Sequence, residues 1–381
     1  MDQTKKLLVI KIGSSSLTMS DGSLAGSKIK NLVRQIAVLH QRGHSIVIVT
    51  SGSIAAGFRR LGFQERPITV PAKQAAAAVG QGLLMEEYTK YLLEEDCISA
   101  QILLTRGDFV DIRRYKNAFN ALEVLLKRGV IPIINENDTI SIEELKFGDN
   151  DQLSAQVAGL IHSDLLILLT DIDGLYTEDP RKNPQAQRID YVKEIDSRIE
   201  ALAGEAGSSN GTGGMKSKIE AAKLAVAAGV PVFICSSAEK DILLKAADGQ
   251  GGGTYFQSSK GNLKTKLQWM AFYSNSKGSI HIDKGAVEAM EDGGKSLLPS
   301  GIISVDGDFE SGDVIDVYSE DGRHIGRGIS NFSGEDLANF QGLSSVDIQK
   351  VFHGNKNEAI HRDNWLSSRK IKISKRRRFN E

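Results

Sequence analysis

Short apolar segments alternate with longer segments of helical periodicity along the first two-thirds of the chain. The apolar segments predict β-strands at 7–12, 45–50, 99–104, 130–134, 165–170 and 230–235. The periodic segments between them predict helices at 28–41, 72–94, 115–127, 152–161 and 215–228. Several strands are apolar without alternation, which is typical of a parallel sheet covered by helices on both faces. The pattern therefore predicts an α/β fold, a three-layer αβα sandwich with a mainly parallel, doubly wound central sheet.

The alternation ends near the glycine-rich segment 249–253. Beyond it, short strand-like segments with closely spaced turn residues occur at 279–282, 301–305, 314–318 and 326–330. This pattern predicts a small β-rich C-terminal domain. We divide the chain into a first domain (1–258), a linker (259–276), the β-rich domain (277–362) and a basic tail (363–381). Residues 369–378 include seven basic residues and no acidic one, a composition that favours a flexible, solvated tail.

The bulk composition narrows the class of protein. A chain of 381 residues is longer than one hydrophobic core usually supports, and a net charge of -1 gives no general attraction to nucleic acid or anionic membranes. Cys97 and Cys235 have no His or Cys at metal-ligand spacing, which argues against a disulfide framework and a zinc site. Lys11 interrupts the first apolar segment before it could form a signal peptide or membrane span. We therefore expect a cytoplasmic protein. Any phosphate group that it binds would be held by local clusters of Lys, Arg and backbone N–H groups, and not by the overall charge.

Turns that contain glycine and serine follow the first two predicted strands. Lys11, Gly13 and Ser14 lie at the end of the first strand, and Ser51 and Gly52 follow the second. Glycine lets the backbone approach an anion closely, the serines add hydroxyl donors, and the lysine adds positive charge. Both turns would face one crevice at the carboxyl edge of the sheet. Each turn alone is also compatible with an ordinary strand-to-helix connection.

A third glycine-rich segment precedes the helix predicted at 215–228. It comprises Gly211, Thr212, Gly213, Gly214, Met215, Lys216, Ser217 and Lys218. The start of a helix offers unpaired N–H groups and a positive dipole end, and Lys216 or Lys218 can reach a phosphate there. A flexible loop is the alternative interpretation. Neither G-x-x-x-x-G-K-[ST] nor a strand followed by G-x-G-x-x-G occurs, so neither a P-loop enzyme nor a Rossmann dehydrogenase is favoured.

Short acidic and amide side chains are concentrated in the segments 135–138 and 148–151. These are Asn135, Glu136, Asn137 and Asp138, and then Asp149, Asn150 and Asp151. Such groups can bind an ammonium group, orient a hydroxyl or ligate magnesium. Asx turns and a helix N-cap at Asp149 or Asn150 are the alternative interpretation. Thr170 and Asp171, which follow the most apolar strand, can accept hydrogen bonds from a nucleotide base or ribose.

Taken in order, these motifs resemble those of the amino acid kinase family. They are V-x-K-x-G-S-S, I-V-T-S-G-S-I-A-A-G, I-N-E-N-D, G-D-N-D-x-L-S-A, L-T-D-x-x-G-L-Y-x-x-D-P and G-T-G-G-M-x-S-K. Within the family, the set is most similar to the members that phosphorylate glutamate. The resemblance extends to about residue 362, because the segment 285–302, with S-L-L-P-S-G-I, resembles the PUA domain that some bacterial members carry.

The resemblance implies a role for each matching residue. Lys11, Lys218 and Asp151 would be catalytic, and the two lysines would flank the transferred phosphoryl group. ATP would also contact Gly13, Ser14, Thr170, Asp171, Thr212, Gly213, Gly214, Met215, Lys216 and Ser217. Glutamate would contact Ser51, Gly52, Asp138, Asp149 and Asn150. ATP and Mg²⁺ would be the cofactors, and the ion would keep mostly phosphate and water ligands.

The implied activity is ATP-dependent phosphorylation of the side-chain carboxylate of L-glutamate, the first step of proline biosynthesis. A carboxylate with a pKa of about 4.3 is already ionised at neutral pH, so the reaction requires no general base. The enzyme then has to place the carboxylate in line with the phosphoryl group and neutralise the negative charge on the phosphoryl oxygens. The resemblance further implies feedback inhibition by proline, a homo-oligomer (dimer or tetramer), and glutamate-5-semialdehyde dehydrogenase, the next enzyme of the pathway, as a partner.

Two alternatives remain open at the level of sequence. The first is another member of the same family, an acetylglutamate, aspartate or uridylate kinase, because a fold does not determine a substrate. The second is an RNA-binding protein that acts through the PUA-like domain and the basic tail. Many acidic residues between 278 and 330 argue against RNA binding. The sequence favours the kinase and gives no indication of a membrane partner.

Overall fold

The computed structural model describes residues 4–19, 23–141, 150–205, 214–258, 265–272, 274–343 and 357–368. The chain divides into two compact units, Met1–Asn262 and Leu263–Glu381. Among the described residues, no helix combines the length and the apolar character that a membrane crossing requires.

The first unit is built on a mainly parallel sheet. Its strands are β1 (Leu7–Ile12), β2 (Ser45–Val49), β3 (Ser99–Leu104), β4 (Ile131–Glu136), β5 (Leu165–Thr170), β6 (Leu175–Tyr176), β7 (Arg188–Ile189), β8 (Tyr191–Val192), β9 (Val232–Ser236) and β10 (Gly253–Phe256). Eight strands form one sheet in the order β3-β4-β2-β1-β5-β9-β10-β8. Only β10 and β9 pair in the antiparallel sense among the described pairs of this sheet. The predicted sheet is confirmed.

Helices cover both faces of this sheet. They are α1 (Gly26–Gln41), α2 (Ser53–Gly57), α3 (Val70–Glu94), α4 (Arg106–Val110), α5 (Ile112–Lys127), α6 (Asn150–Leu160), α7 (Ser197–Glu205), α8 (Met215–Ala227) and α9 (Ile242–Ala247). Helix α1 packs against α3 and α9, whereas α6 packs against α8 and β1. All six predicted strands and all five predicted helices correspond to observed elements.

The central strand β1 shows how the sequence positions the site. Leu8, Ile10 and Ile12 are fully buried in a core cluster that includes residues of α1. Because successive side chains of a strand point to opposite faces, Val9 and Lys11 face the other layer, where α6 packs. Burial of the apolar residues therefore directs the Lys11 side chain towards the start of α6.

The second unit is a small β-sheet with short helices. Its elements are α10 (Thr265–Phe272), β11 (Gly278–Ile282), α11 (Lys284–Glu291), β12 (Ile302–Asp306), β13 (Val314–Ser319), β14 (His324–Ile329), α12 (Gly334–Asn339) and β15 (Trp365–Ser367). The sheet order is β12-β11-β13-β14-β15. Its core includes Ile280, Ile282, Val317 and Ile325. The predicted β-rich C-terminal domain is confirmed.

Two elements of the second unit lie outside the segments predicted to be structured. Helix α10 lies within the predicted linker, where it buries Trp269 and Met270 and contacts β14 and β15. Strand β15 lies within the predicted tail and pairs with β14, so the sheet continues past residue 362. In both places apolar side chains are buried in the second unit, which the composition of these segments does not indicate. The basic run 369–378 lies outside the described residues.

Candidate active site

Two lysines and one carboxylate form a buried ion cluster at the carboxyl edge of the sheet. The Nζ atom of Lys11 lies 2.6 Å from Oδ1 of Asp151, and the Nζ atom of Lys218 lies 3.1 Å from Oδ2. Ser217 Oγ donates a hydrogen bond of 2.9 Å to the same Oδ2. The exposed fractions of Lys11, Asp151 and Lys218 are 2%, 0% and 5%. Two positive charges and one negative charge leave one net positive charge, which attracts an anion strongly in this poorly solvated place.

Three elements bring these charges together. Lys11 lies near the end of β1, Asp151 lies in the first turn of α6, and Lys218 lies in the first turn of α8. Helices α6 and α8 pack against each other, and α6 also packs on β1. A helix start favours negative charge, so the dipole of α6 stabilises the carboxylate between the lysines.

The carboxyl group of Asp151 stays ionised in this cluster. Burial alone would raise its pKa, but the nearby charges of Lys11 and Lys218 and the hydrogen bonds to the carboxylate outweigh burial. The pKa of Asp151 therefore lies well below its usual range. Asp151 can hold two ammonium groups in place, but it is not suited to accept a proton during a reaction near neutral pH.

Gly13 leaves space beside the ammonium group of Lys11. A Cβ atom added at Gly13 would lie 3.8 Å from Lys11 Nζ and 3.5 Å from the Leu169 carbonyl oxygen. The backbone at Gly13 has ordinary extended angles, with φ of -71°, and the distances to a Cβ are ordinary van der Waals contacts. Neither conformation nor the surrounding protein requires glycine here, and its missing side chain leaves room for a ligand. A larger side chain would stand where an anion approaches the lysine.

The first two glycine-serine turns meet, as their positions in the sequence predict. Ser14 Oγ donates to Ser51 Oγ over 3.3 Å, and Ser51 Oγ donates to the Ile12 carbonyl oxygen over 3.0 Å. Gly52 has a φ of 97°, a left-handed conformation that favours glycine. This turn allows the short helix α2 to start directly after β2.

A polar pocket adjoins these turns. The residues predicted from sequence that line it are Ser14, Ser51, Gly52, Asp138 and Asn150, and further lining residues include Ser53, Arg66, Asn135 and Glu136. Ser53 Oγ donates to Asp138 Oδ2 over 2.9 Å, which orients that carboxylate. Two acidic side chains, one arginine and two amides are the groups expected to recognise a small zwitterion.

The first turn of α6 connects the pocket to the ion cluster. Asn150 lines the pocket, and its Nδ2 donates to the Thr50 carbonyl oxygen over 2.5 Å. Asp151, the next residue, contacts Lys11 and Lys218. Adjacent residues of one helix thus face the pocket and the ion cluster, because successive helical side chains point in directions about 100° apart.

The predicted nucleotide residues fall into two groups. Lys11, Gly13 and Ser14 lie at the end of β1, where Ser14 also lines the polar pocket, and the other described ones lie at β5 and α8. Thr170 ends β5 and donates through Oγ1 to Asp171 Oδ1 over 2.9 Å. A mainly apolar cavity nearby is lined by Leu175, Tyr176 and Met215, among others. Gly214 precedes α8, and Lys216 is exposed on its first turn. Asp149, Thr212 and Gly213 lie outside the described residues.

Sequence reasoning did not assign roles to several residues of this site. Asn135 and Glu136 belong to the cluster of acidic and amide residues at 135–138, which the sequence does indicate. Nothing in the sequence shows that they line the pocket together with Asp138. Arg66 stands in an exposed loop before α3 with no recognisable spacing. In the sequence, only the L-Y pair after Gly174 and Met215 hint at the apolar cavity. Among the described residues, no group of three or more His, Cys, Asp or Glu side chains could hold a metal ion.

Fold and site together define a small-molecule kinase of the α/β class, with lysines and a glycine turn at the carboxyl edge of a parallel sheet. A model of the amino acid kinase family matches residues 6–236, so the chain belongs to the amino acid kinase family. A model of the PUA domain matches residues 278–352, which corresponds to the second unit.

Relatives of known name cover nearly the whole chain. A protein of Streptococcus sanguinis (strain SK36) named Glutamate 5-kinase is 53% identical over 363 residues, which are 95% of this chain and 96% of the relative. A Streptococcus gordonii protein of the same name is 54% identical with the same coverage. A solved structure, a carbamate kinase from Giardia lamblia bound to AMP-PNP, covers 68% of this chain and 100% of its own, with a TM-score of 0.51 and 17% identity. At that identity the similarity shows the fold alone.

Proposed function

We propose that the chain transfers the γ-phosphoryl group of ATP to the side-chain carboxylate of L-glutamate in the cytoplasm. The product is L-glutamyl 5-phosphate, and the reaction is the first step of proline biosynthesis. The observation that carries this proposal is the Lys11–Asp151–Lys218 cluster beside a pocket of acidic and amide groups. The names of the two streptococcal relatives support the same activity and do not favour acetylglutamate, aspartate or uridylate as the substrate.

The chemistry requires placement and positive charge. The glutamate side chain is already ionised near neutral pH, and one of its oxygens attacks the γ-phosphorus. A new carboxyl-oxygen-to-phosphorus bond forms while the bond from phosphorus to the β,γ-bridging oxygen breaks, and ADP leaves with that electron pair. Lys11 and Lys218 stabilise the negative charge on the phosphoryl oxygens, and Asp151 holds both lysines in position. No proton moves to or from Asp151.

The charges of the pocket suit a free amino acid. Asp138, Glu136 and Asn150 offer acceptors for an α-ammonium group, and Arg66 offers a cation for an α-carboxylate. An N-acetylated substrate has no positive charge to place against Asp138. Because a buried or half-buried carboxylate loses free energy without a partner, the pocket would reject the acetylated analogue.

ATP would lie on the opposite side of the ion cluster. Its phosphates would contact Lys11, Gly13, Ser14 and the segment 212–218, which includes Lys216, Ser217 and Lys218. Its base and ribose would lie near Thr170 and Asp171, with the apolar cavity beside Tyr176 and Met215 available to the adenine ring. Mg²⁺ would enter with the nucleotide, held by phosphate and water oxygens, and it would neutralise phosphate charge.

Hydroxylamine trapping tests the substrate. With ATP and Mg²⁺ present, we expect hydroxamate from L-glutamate and none above background from N-acetyl-L-glutamate, because only glutamate carries the ammonium group that the pocket accepts. The measurement is the colour of the ferric hydroxamate complex, with ADP release as a parallel readout. A preference for the acetylated substrate would contradict the proposal.

The remaining partners are proposed from the resemblance to family members. Proline would inhibit at or near the glutamate pocket, the chain would form a homo-oligomer, and glutamate-5-semialdehyde dehydrogenase would receive the product. We do not expect RNA to be a principal ligand of the second unit. Adding proline to the hydroxamate assay should lower the rate at low glutamate and lose effect as glutamate rises.

Asp138→Asn should weaken glutamate binding much more than turnover. The carboxylate charge opposite the ammonium group is lost, which should raise the glutamate KM by about 10- to 100-fold. Glutarate, which lacks the ammonium group, serves as a competitive inhibitor, and its inhibition constant should change little. Asp196→Asn is the matched control, because Asp196 caps α7 at an exposed position and asparagine caps equally well. Equal losses for glutamate and glutarate would refute this role of Asp138.

A further inference from the structure

Three amide side chains form a continuous hydrogen-bonded series that leads from the glutamate pocket to α3, which we call the amide relay: Gln81, Asn135 and Asn150. Asn150 Nδ2 donates to Asn135 Oδ1 over 2.7 Å, and Asn135 Nδ2 donates to Gln81 Oε1 over 2.7 Å. Asn135 and Asn150 are buried, with exposed fractions of 1% and 7%. Gln81 lies on α3 and does not line the pocket.

Two backbone groups determine the direction of every bond in the amide relay. The Thr50 carbonyl oxygen can only accept, so the atom of Asn150 that lies 2.5 Å away must be its nitrogen. The Glu136 N–H group can only donate, so the atom of Asn135 that it contacts over 2.9 Å must be its oxygen. The nitrogen of Asn135 then points to Gln81, whose oxygen must accept.

The consequence for the pocket is a defined acceptor. Both N–H bonds of the Asn150 amide are used, one on Thr50 and one on Asn135. Its Oδ1 is therefore the atom that this amide offers to a ligand in the pocket that it lines. At the other end, Nε2 of Gln81 is buried and donates to no group among the described residues. The oxygen of Gln81 is thus the functional atom of this side chain, and its nitrogen is not.

We propose that Gln81 is a positioning residue for substrate recognition, acting through Asn135 to present the oxygen of Asn150 to the α-ammonium group of glutamate. The inference rests on the proposed function, because it needs a substrate with a free ammonium group. Gln81 does not touch the substrate. Its role is to accept from Nδ2 of Asn135, so that this buried amide, whose direction the backbone sets, is held in place by a side-chain contact and in turn holds the amide of Asn150.

Two substitutions of Gln81 separate the acceptor from the rest of the side chain. Gln81→Glu keeps an oxygen for Asn135 and replaces the unpaired nitrogen by a second carboxyl oxygen. Burial favours the neutral carboxyl group, whose carbonyl oxygen still accepts, so the glutamate KM should stay within about threefold of the parent value. Gln81→Met has similar length but no strong acceptor, and should raise the glutamate KM by about tenfold. The KM for ATP and the inhibition constant of glutarate should be unchanged in both variants, because neither ligand uses the ammonium subsite.

A double variant tests the direction of the amide relay itself. In Asn135→Asp, Oδ1 still accepts from Glu136 and Asn150, and Gln81 can turn over so that its unpaired Nε2 donates to Oδ2. Each single variant, Gln81→Glu or Asn135→Asp, therefore keeps the series intact. Combined, they place two carboxyl groups at a contact that held a 2.7 Å hydrogen bond, where the two either share one proton or, once that proton is lost, repel each other. The glutamate KM of the double variant should exceed the product of the single effects, and the excess should grow as the pH rises and the shared proton is lost.

Thermal unfolding of each variant accompanies the kinetics. If the double variant does not fold, the comparison of Gln81→Met with Gln81→Glu decides. A parent-like glutamate KM in Gln81→Met, equal effects of Glu and Met, or a glutarate constant that changes in parallel with the glutamate KM would each overturn the inference. Absence of hydroxamate from glutamate in the unaltered protein would instead contradict the proposed function.

Discussion

Lys218→Ala is expected to lower kcat for glutamate phosphorylation by about a hundred- to a thousandfold, the range found when one preorganised group that stabilises transition-state charge is removed. The glutamate KM should change by much less, because the lysine acts on charge that develops during transfer and lies beside Asp151, outside the glutamate pocket. Lys11→Ala should have a similar effect for the same reason.

Steady-state rates of ADP release at saturating ATP and glutamate give the measurement. Lys223→Ala is the matched control, because Lys223 lies on the same helix, α8, but is partly exposed and pairs with Glu200 away from the ion cluster. It should keep nearly the full kcat. If Lys218→Ala retained parent-like turnover, the assignment of Lys218 to the phosphoryl group would be wrong.

Asp151→Asn should lower both stability and turnover. The variant keeps the shape of the side chain but leaves two buried ammonium groups, Lys11 and Lys218, without a counter-charge. Breaking a buried ion pair from one side costs about 3–5 kcal/mol of folding free energy. The lysines would also separate or turn away from the path of the phosphoryl group, so kcat should fall by about a hundredfold or more.

Calorimetric unfolding with and without ATP gives the measurement for Asp151→Asn. The phosphates of ATP supply negative charge to the same lysines, so ATP should raise the unfolding temperature of the variant more than that of the parent. Asp196→Asn again serves as the control and should behave like the parent. An unchanged unfolding temperature without ATP would contradict the claim that Asp151 balances the two buried charges.

The pH dependence of this stability has a definite sign. The folded-state pKa of Asp151 is lowered, so its ionised form contributes stability above the pKa of the unfolded chain. That contribution declines as the pH falls through the pKa of Asp151 in the unfolded chain and then through its lower pKa in the folded protein. The stability difference between the parent and Asp151→Asn should therefore be full near neutral pH and should shrink only in acid.

Much of the first unit could be predicted, because the hydrophobic pattern of each segment agrees with the burial of its side chains in the folded protein. The apolar strands are apolar since helices cover both faces of the sheet, and the helical periods match the helices that cover them. Short elements could not be found in this way. Helix α2 has five residues and begins directly after Gly52, which has a φ of 97°. A helix this short depends on packing against its neighbour α3 more than on its own sequence.

The second unit also contains short elements that could not be predicted from the sequence. Trp269 and Met270 lie in a segment that reads as a linker, yet they are buried in helix α10. Strand β15 has three residues, Trp365–Ser367, and forms only because β14 offers a free edge. Short elements such as α10 and β15 are stabilised by the elements they pack against or pair with. Their own sequences are too short to show a helical or strand pattern.

By itself, the sequence determined the parallel αβα sheet, the β-rich second domain, and the strand ends where Lys11, Gly13, Ser51 and Thr170 had to lie. It could do so because strand periodicity and strand polarity are local properties. Only the tertiary structure decided which charges meet. Lys218 and Asp151 are 67 positions apart in the chain, and their contact exists because α6 packs on α8. In the same way, packing of α3 brings Gln81 to Asn135 across 54 positions, a contact that neither segment indicates by itself.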